Sequence, residues 1–235
     1  MRTALVTGGS TGIGFATVKS LINSGFKVVA TYNETTPKQA IDNVVFKKLD
    51  ITSRSSCLEL LTELDNLDLF PSTLVNNAGI TSDSMFHKMS HEAWLQVINV
   101  NLISLFNLTQ PIFTRMREKK YGRIINISSV NANKGQAGQV NYCAAKAGIQ
   151  GFTKALAQEG ARYGITVNTI SPGYTDTSMV ENIKPEILDK IKQSIPMGRL
   201  ASPDEIAAQV NYLTTELAGY ITGANFQING GMYSS

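Results

Sequence analysis

A tyrosine and a lysine in the middle of the chain have the types and spacing of a proton-transfer pair. Tyr142 and Lys146 are four residues apart within the helix predicted for Gln139–Tyr163, so their side chains share one face about one turn apart. A free tyrosine has a pKa of about 10, and a nearby ammonium favours the phenolate and lowers that pKa. Such a tyrosine can exchange a proton with a carbonyl oxygen. The spacing alone is also typical of a pair on a helix surface, so the surrounding elements must decide.

Short apolar runs alternate with longer helical patterns along the whole chain. Because most runs are almost continuously apolar, they predict strands covered on both faces. The alternation predicts an α/β fold, with residues 1–235 forming one domain around a Rossmann-type doubly wound parallel sheet of about seven strands. The predicted strands are Thr3–Thr7, Lys27–Thr31, Val44–Lys48, Thr73–Val75, Arg123–Ile127, Thr166–Ile170 and Asn225–Ile228. The predicted helices are Gly12–Ser24, Ser53–Leu64, Ser90–Lys119, Gln139–Tyr163 and Pro203–Thr215.

Two connections depart from this pattern. Asn33–Asn43 is near the minimum length for joining parallel strands, so we expect a truncated helix or an irregular turn there. The segment of about residues 175–196 follows the breaker Ser171-Pro172-Gly173, and its helical pattern at Met179–Ser194 is interrupted by Pro185. It follows the carboxyl end of a strand, where ligands of such sheets bind. We predict a mobile lid, with a fixed surface excursion as the alternative.

A glycine-rich loop follows the first predicted strand and opens the first helix. Its sequence is Thr7-Gly8-Gly9-Ser10-Thr11-Gly12-Ile13-Gly14. Gly8 permits a tight turn, Gly12 permits close approach of the backbone, and Gly14 lets the helix pack on the sheet. The free N–H groups and positive dipole end of the helix then favour a pyrophosphate. An ordinary glycine turn is the alternative, but the position after the first strand strengthens the prediction of a dinucleotide site.

The glycine loop and the motifs that follow it resemble those of the short-chain dehydrogenase/reductase family. The family's loop pattern is T-G-x3-G-x-G, and the resemblance covers essentially the whole chain. It implies a nicotinamide-dependent oxidoreductase acting on a CH-OH or C=O group. The other matched motifs are Asp50-Ile51, Asn76-Asn77-Ala78-Gly79, Asn99-Val100-Asn101, Ser128-Ser129, Tyr142-x3-Lys146 and Ser171-Pro172-Gly173.

The resemblance implies a catalytic set of Asn101, Ser129, Tyr142 and Lys146. Ser129, thirteen residues before Tyr142, would orient the substrate carbonyl, and Ser128 is the neighbouring alternative. Lys146 would also hold the nicotinamide ribose. Asn101 lies inside a predicted helix, where an asparagine can divert backbone hydrogen bonds and hold a water, and it would link the lysine to solvent. The alternative for Asn101 is a polar residue that faces solvent.

The resemblance also implies where a dinucleotide would lie. Asp50 would contact the adenine ring, Asn77 and Gly79 would line the cofactor, and Thr175 and Thr177 would hold its nicotinamide amide and pyrophosphate. The full implied cofactor-binding set is Gly8, Ser10, Thr11, Gly12, Ile13, Gly14, Tyr32, Asn33, Asp50, Ile51, Asn77, Ala78, Gly79, Tyr142, Lys146, Pro172, Gly173, Thr175 and Thr177.

The end of the second strand decides between the two nicotinamide cofactors. An acidic residue there would bind the ribose 2′-OH of NAD and repel the extra phosphate of NADP. The strand ends Ala30-Thr31-Tyr32-Asn33, and no carboxylate precedes Glu34. The polar side chains of this strand end could bind a phosphate, and Lys38 could supply charge. We predict NADP, in its reduced form NADPH, with NAD as the alternative.

Five longer stretches of the chain resemble the acetoacetyl-CoA reductases, whose nearest relatives are the 3-oxoacyl-[acyl-carrier-protein] reductases. These stretches are residues 79–89, 126–130, 134–142, 151–159 and 167–174. The resemblance implies NADPH-dependent reduction of a 3-oxoacyl thioester, as in polyhydroxybutyrate synthesis. Tyr163 stands where carrier-protein reductases usually have a basic residue, which favours coenzyme A esters, although Arg115–Lys120 could dock a carrier protein. The implied substrate-binding residues are Asp83, Ser129, Gln136, Gln139, Tyr142 and Tyr174.

The amino-acid composition argues against nucleic-acid, metal and membrane binding. A net charge of +3 with 17% charged residues gives no concentrated basic face, so we expect no nucleic-acid partner. Cys57 and Cys143 are far apart and His87 and His91 lack partners, so we expect neither a disulfide framework nor a metal site. We see no signal peptide and no apolar run long enough for a bilayer, and we therefore expect a cytoplasmic protein without membrane association.

The same motifs fit two alternative functions, and the long helices predict an oligomer. A reductase of the same fold could act on a sugar, a steroid or another alcohol, and a non-catalytic dinucleotide-binding sensor is the alternative from another class. Such sensors tend to lose the catalytic tyrosine or lysine, and both are present here. The helices Ser90–Lys119 and Gln139–Tyr163 and the strand Asn225–Ile228 resemble the family's subunit interfaces, so we expect a homotetramer.

Overall fold

The computed structural model describes residues 2–37, 40–177 and 184–234. Within these ranges seven parallel strands form one sheet in the order β3-β2-β1-β4-β5-β6-β7, which confirms the predicted single-domain, doubly wound α/β fold. The strands are β1 (Thr3–Val6), β2 (Lys27–Tyr32), β3 (Val44–Lys48), β4 (Thr73–Asn76), β5 (Gly122–Ile127), β6 (Ile165–Pro172) and β7 (Asn225–Ile228).

Helices cover both faces of the sheet. In the described ranges they are α1 (Gly12–Asn23), α2 (Arg54–Asn66), α3 (His91–Ile98), α4 (Ser104–Lys119), α5 (Asn131–Lys134), α6 (Val140–Ala161), α7 (Pro185–Ser194) and α8 (Pro203–Leu213). Helices α2, α4 and α6 contribute to one hydrophobic core, and α1 and α8 contribute to the other.

Alternation along each strand distributes apolar side chains between the two cores. In β1, Leu5 belongs to the core under α2, α4 and α6, whereas Ala4 and Val6 belong to the core under α1 and α8. All three residues are fully buried. Packing on both faces holds the central strands firmly, so the loops that leave their carboxyl ends start from fixed points.

The order of the strands reverses at β1, which pairs with β2 on one side and β4 on the other. In open α/β sheets a crevice forms at such a switch point, outside the carboxyl ends of the strands. The glycine loop begins at the end of β1, and the loops after β4 and β5 open on the same edge. The fold therefore brings the sequence motifs to one place.

The predicted helix Ser90–Lys119 is not continuous. It divides into α3 and α4, which are joined by a π turn at Asn99–Ile103. The amide Nδ2 of Asn101 donates to the carbonyl of Val97 at 2.9 Å, four residues earlier. A side chain that bonds this carbonyl competes with the regular helical ladder, and single π turns are frequent at functional sites.

The connection between β2 and β3 is irregular, as predicted. Its described residues contain no helix, and Val44 N donates to Ile41 O at 3.1 Å to close the turn before β3. Lys38, proposed as a source of positive charge, lies outside the described residues.

The excursion after β6 contains α7. Pro185 begins this helix rather than interrupting it, because proline is well tolerated at the first helical position. The predicted start of the pattern, Met179, lies outside the described residues. Thr175 and Ala201 form a parallel bridge, and Met197 N donates to Gly230 O at 3.1 Å. The segment between Thr175 and Ala201 therefore begins and ends at neighbouring positions of the domain.

Membrane-spanning helices, metal-ligand clusters and cysteine pairs are absent from the described residues. Among residues 2–37, 40–177 and 184–234 no helix is long and apolar enough to cross a membrane. The same residues contain no group of three His, Cys, Asp or Glu side chains arranged to hold a metal ion. Cys57 and Cys143 are both free thiols.

Candidate active site

A cavity of about 450 Å³ lies at the carboxyl edge of the sheet. Segments that follow six strands line it, beginning with the glycine loop after β1. Every residue of the predicted cofactor set except Gly14 lies in its wall, and of the predicted catalytic set Ser129, Tyr142 and Lys146 do. Wall residues outside the predicted site sets are Thr31, Glu34, Thr35, Leu49, Thr52, Ile80, Gln96, Val100, Ile127 and Ser128.

The glycine loop presents an open helix terminus to the cavity. Gly8 and Gly12 have φ of +63° and +53°, a conformation that favours glycine. Thr11 is the N-cap of α1 but makes no side-chain hydrogen bond to it, and the first turn holds no acidic residue. The first N–H groups of α1 therefore remain available, and the first turn itself places no carboxylate against an anion.

Gly14 packs behind the loop instead of facing the cavity. A Cβ at this position would overlap the carbonyl oxygen of Gly8 and lie 2.6 Å from Asn77 Nδ2. That amide donates to Thr7 O at 2.9 Å and to Gly8 O at 3.1 Å. Gly14 and Asn77 thus join the end of β4 to the glycine loop, which is the close helix–sheet packing expected of Gly14.

The far end of the cavity is bounded by the ends of β2 and β3. Asp50 Oδ1 accepts hydrogen bonds from Thr52 N at 2.9 Å and Thr52 Oγ1 at 2.7 Å. These bonds, with that from the Thr52 hydroxyl the strongest, hold the pKa of Asp50 below its usual value. Glu34 adds a second carboxylate to this end of the wall, beside the exposed Asn33.

Ser129, Tyr142 and Lys146 converge near the middle of the cavity. The Ser129 hydroxyl is near enough to the Tyr142 phenol to lower the pKa of that tyrosine, and Lys146 Nζ lies 5.6 Å from the centre of the Tyr142 ring. Lys146 is buried, and its Nζ donates to Ile127 O at 2.9 Å. The pair is therefore not a surface pair of helix residues, because both side chains face inward from α6.

The pKa of Tyr142 differs from the expected direction. Burial raises the pKa of Tyr142 to about 12, and the nearby Ser129 hydroxyl opposes this rise only in part. Burial also lowers the pKa of Lys146 to about 8. The expectation that Lys146 lowers the pKa of Tyr142 is wrong for the protein's own groups, because desolvation of the phenolate outweighs the other contributions.

Ser128 and Ser129 have different partners. Ser128 Oγ donates to Lys146 O at 2.8 Å, so its hydroxyl proton is already committed to α6. Ser129 Oγ instead accepts from Asn131 N at 3.1 Å, which leaves its own proton available. The structure therefore favours Ser129 over Ser128 as the hydroxyl that can donate toward a ligand.

Asn101 is buried completely and does not face solvent. Its Nδ2 also donates to Ile80 O at 2.9 Å, and its Oδ1 accepts from Ile80 N at 3.2 Å. A Cβ on Gly79 would overlap Asn101 Oδ1 and lie 3.3 Å from Lys146 Nζ. Gly79 thus lets the asparagine and the lysine approach the same backbone, although Asn101 itself does not line the cavity.

The four remaining substrate-binding candidates lie outside the cavity wall. Gln139 Nε2 donates to Asp83 Oδ2 at 2.8 Å, and Gln136 Oε1 accepts from Lys134 Nζ at 2.9 Å. Tyr174 is half-buried, and burial first and the charge of Asp83 second raise its pKa. The Asp83 charge also raises the pKa of Tyr142, so it acts on both tyrosines from the rim.

Asn141 is a site residue that sequence reasoning missed. It is fully buried, and its Oδ1 accepts from the backbone N–H of Tyr142 at 2.8 Å. Its Nδ2 donates to Ser82 O at 3.0 Å and Ala93 O at 3.3 Å, so it ties the start of α6 to the loop after β4 and to α3. Its place next to Tyr142 was the only sequence signal, since these partners are remote in the chain.

Fold and site together define a nicotinamide-type α/β oxidoreductase architecture, and comparison with known proteins agrees. The short chain dehydrogenase family model matches residues 2–188. The chain is 51% identical to the acetoacetyl-CoA reductase of Shinella zoogloeoides, covering 99% of this chain and 98% of that protein. It is 41% identical to the 3-oxoacyl-[acyl-carrier-protein] reductase FabG of Haemophilus influenzae, covering 100% and 99%. A crystal structure assigned as a gluconate dehydrogenase from Agrobacterium tumefaciens superposes with a TM-score of 0.92 at 32% identity, covering 100% and 96%.

The chain belongs to the short chain dehydrogenase family. The family resemblance inferred from its motifs is thereby confirmed, and so is the assignment of the chain to the oxidoreductases.

Proposed function

We propose that the chain reduces a 3-oxoacyl thioester with NADPH, and that its substrate is acetoacetyl-CoA, giving 3-hydroxybutanoyl-CoA for polyhydroxybutyrate synthesis. The observation that carries the proposal is the convergence of Ser129, Tyr142 and Lys146 at one cavity. The full-length identity of 51% to an acetoacetyl-CoA reductase supports the choice of substrate.

The cavity suits a dinucleotide. The open N-terminus of α1 would hold the pyrophosphate, and the positive φ of Gly12 together with a Cβ contact of 3.1 Å to Thr177 disfavours a side chain there. Asp50 and Ile51 would meet the adenine, and Lys146 would hold the nicotinamide ribose. When bound, the nicotinamide would supply the hydride for the carbonyl carbon.

Ser129 and Tyr142 act on the carbonyl oxygen in this mechanism. Ser129 donates its hydroxyl proton in a hydrogen bond that orients the carbonyl. Tyr142 carries its proton at neutral pH, where a tyrosine of pKa about 10 or higher is protonated, and it acts as the general acid. As hydride reaches the carbon, the Tyr142 proton moves to the oxygen, and the product is an alcohol.

Lys146 and Asn101 would restore the proton. The ammonium of Lys146 stabilises the phenolate left on Tyr142, and the buried position of Asn101 beside Gly79 supports a route from the lysine toward solvent. Asn101 holds the π turn open at Val97, which leaves the helix backbone irregular next to that route.

Coenzyme A esters are favoured over carrier-protein esters. Two of the basic residues of the Arg115–Lys120 patch already have partners: Arg115 pairs with Asp65 at 2.6 Å, and Arg117 donates to Tyr163 OH at 2.8 Å. The 41% identity to a carrier-protein reductase keeps that activity as the second candidate.

Steady-state kinetics tests the proposal. We expect kcat/KM for acetoacetyl-CoA to exceed that for longer 3-oxoacyl-CoA esters, for the matching carrier-protein ester and for an unrelated ketone such as a sugar or steroid. A kcat/KM no better than that for the unrelated ketone would refute the thioester assignment. Binding of NADPH without its oxidation by any ketone would instead support a dinucleotide sensor.

The choice of NADP over NAD is part of the proposal. Thr31, Tyr32 and Asn33 bring hydroxyl and amide groups to the ribose end of the cavity, and these can bind a 2′-phosphate. Glu34 brings an opposing carboxylate to the same wall. Comparable kcat/KM values with NADH and NADPH would contradict this choice.

We also infer a homotetramer, a mobile lid and a cytoplasmic location. The edge strand β7 is only half-buried, and Ile103 and Phe106 near the start of α4 are 52% and 54% exposed. These apolar surfaces suit subunit contacts, and a monomeric mass in light scattering would refute the tetramer. No side chain of α7 is buried, which suits a lid, and the two free thiols suit a reducing compartment.

A further inference from the structure

A series of hydrogen bonds leads from the rim of the cavity to Ser129. Gln139 Nε2 donates to Asp83 Oδ2 at 2.8 Å, and Asn131 Nδ2 donates to Gln139 Oε1 at 2.9 Å. The backbone N–H of Asn131 then donates to Ser129 Oγ at 3.1 Å. The residues come from the loop after β4, the N-cap of α6 and the first turn of α5.

The carboxylate of Asp83 gives this series a direction. A carboxylate only accepts hydrogen bonds, so Gln139 must turn its NH2 group toward Asp83 and its carbonyl toward Asn131. Asn131 must then turn its own NH2 group toward Gln139. Asn131 Oδ1 is left buried without a hydrogen-bond partner among the described residues, and the asparagine is only 8% exposed.

An orphaned buried acceptor is unfavourable, so its presence calls for an explanation. Holding α5 in place does not by itself require this orientation of Asn131, because another hydrogen bond already holds the helix. Gln150 Nε2 donates to Asn133 Oδ1 at 2.8 Å. What the series adds is a fixed orientation of Asn131, whose N–H occupies one lone pair of Ser129 and leaves the serine proton free.

We propose that Asp83, Gln139 and Asn131 form a directional relay that positions Ser129 to donate its proton to the substrate carbonyl. Asn131 is then a positioning residue that no sequence motif had indicated. Asp83 and Gln139 act chiefly on each other and on Asn131, in place of the direct substrate contacts first expected of them. The proposal rests on the proposed reduction of a 3-oxoacyl thioester.

The relay can be tested by exchanging the carboxylate and the amide between positions 83 and 131. N131D removes the donor to Gln139 and places a carboxylate there, so we expect kcat to fall about tenfold or more while KM for acetoacetyl-CoA changes by less than about threefold. In D83N/N131D the amide and the carboxylate exchange ends, and Gln139 can turn over to satisfy both. We expect kcat of the double variant to exceed that of N131D by about fivefold or more.

Two controls separate the relay from simpler effects. N133D makes the same change on the same short helix but keeps the acceptor that Gln150 requires, and we expect kcat within about twofold of the parent. In an N131L background, which cuts the relay without a charge, D83N should have little further effect on kcat. The relay would be overturned if D83N changed kcat equally in the parent chain and in N131L. It would also be overturned if D83N/N131D had a kcat no higher than that of N131D.

The relay and the proposed function fail in different ways. If the parent chain reduces no 3-oxoacyl thioester, the proposed function is wrong, whereas the coupling between positions 83 and 131 is still measurable by denaturant unfolding of the four chains of the cycle. A coupling in unfolding free energy supports the relay as a structural unit. Additive unfolding free energies would refute it whatever the activity.

Discussion

A tyrosine with the ordinary pKa of about 10 is already protonated at neutral pH, and burial favours this state further in Tyr142 by raising its pKa to about 12. A protonated phenol is suited to give a proton to a carbonyl oxygen, which is the direction of reduction. Oxidation of an alcohol needs the phenolate, so that direction depends on positive charge nearby. Lys146, with a pKa lowered to about 8 by burial, carries that charge only below this range.

Replacement of the phenol is the most direct test at this scale. We expect Tyr142→Phe to lower kcat by about 10²–10⁴-fold, because the general acid is lost. Binding of NADPH, followed by its fluorescence, should persist. Tyr163→Phe is the matched control, since that tyrosine lies away from the cavity and bonds Arg117, and it should leave kcat unchanged. A Tyr142→Phe variant with near-parental kcat would show that another group supplies the proton.

The lowered pKa of Lys146 gives a second prediction. As pH rises through about 8 the ammonium loses its proton, so kcat/KM for NADPH, which reports groups of the free enzyme, should fall over this interval. Below this interval it should stay level until other groups titrate. A profile that remains flat up to about pH 10, the ordinary range of lysine, would contradict a role for the buried ammonium.

Among the elements, the π turn between α3 and α4 connects local backbone geometry to the site. The Asn101 side chain donates to Val97 O and Ile80 O and accepts from Ile80 N, and the neighbouring Gly79 leaves space for Lys146. We expect Asn101→Ala to lower kcat by about tenfold or more with a smaller change in KM, since proton return is slowed while binding surfaces remain. Asn99→Ala, two residues earlier in the same π turn, is the comparison, and equal losses of kcat in both variants would indicate a general effect on folding.

The proposed preference for NADP can be tested at the loop after β2. Glu34→Gln removes a carboxylate from the ribose end of the cavity, so we expect the ratio of kcat/KM for NADPH to that for NADH to rise by about threefold or more. Glu59→Gln changes the same side chain on the exposed face of α2 and should leave the ratio unchanged. No change in Glu34→Gln would mean that this carboxylate does not reach the cofactor.

Strands and the glycine loop could be predicted from sequence because their signals are local. The apolar runs, the spacing from Gly8 to Gly14 and the four-residue step from Tyr142 to Lys146 each depend on neighbours in the chain. Contacts such as Asn141 with Ser82 depend on how separate loops meet, and no local pattern records them. The pKa of Tyr142 was predicted in the wrong direction for the same reason, since burial belongs to the assembled site.

In the whole molecule, stability depends on two cores that share one sheet. Leu74 in β4 is fully buried, so we expect Leu74→Ala to lower the free energy of unfolding by about 2–5 kcal/mol. Leu217→Ala, at a position 87% exposed, should change it by less than about 0.5 kcal/mol. Denaturant titration at fixed protein concentration measures both. Similar losses from the two would contradict the central position of β4.

The bridge between Thr175 and Ala201 has a consequence for how such enzymes diversify. Because the two ends of the intervening segment are held side by side, its length adds only a slowly growing entropy to folding. Insertions or deletions between Thr177 and Ile195 can therefore be accepted without disturbing the sheet, whereas Thr177 in the cavity wall and the buried Ile195 must keep their places. Grafting a longer or shorter segment of a relative between Thr177 and Ile195, with the free energy of unfolding as the readout, would measure this tolerance.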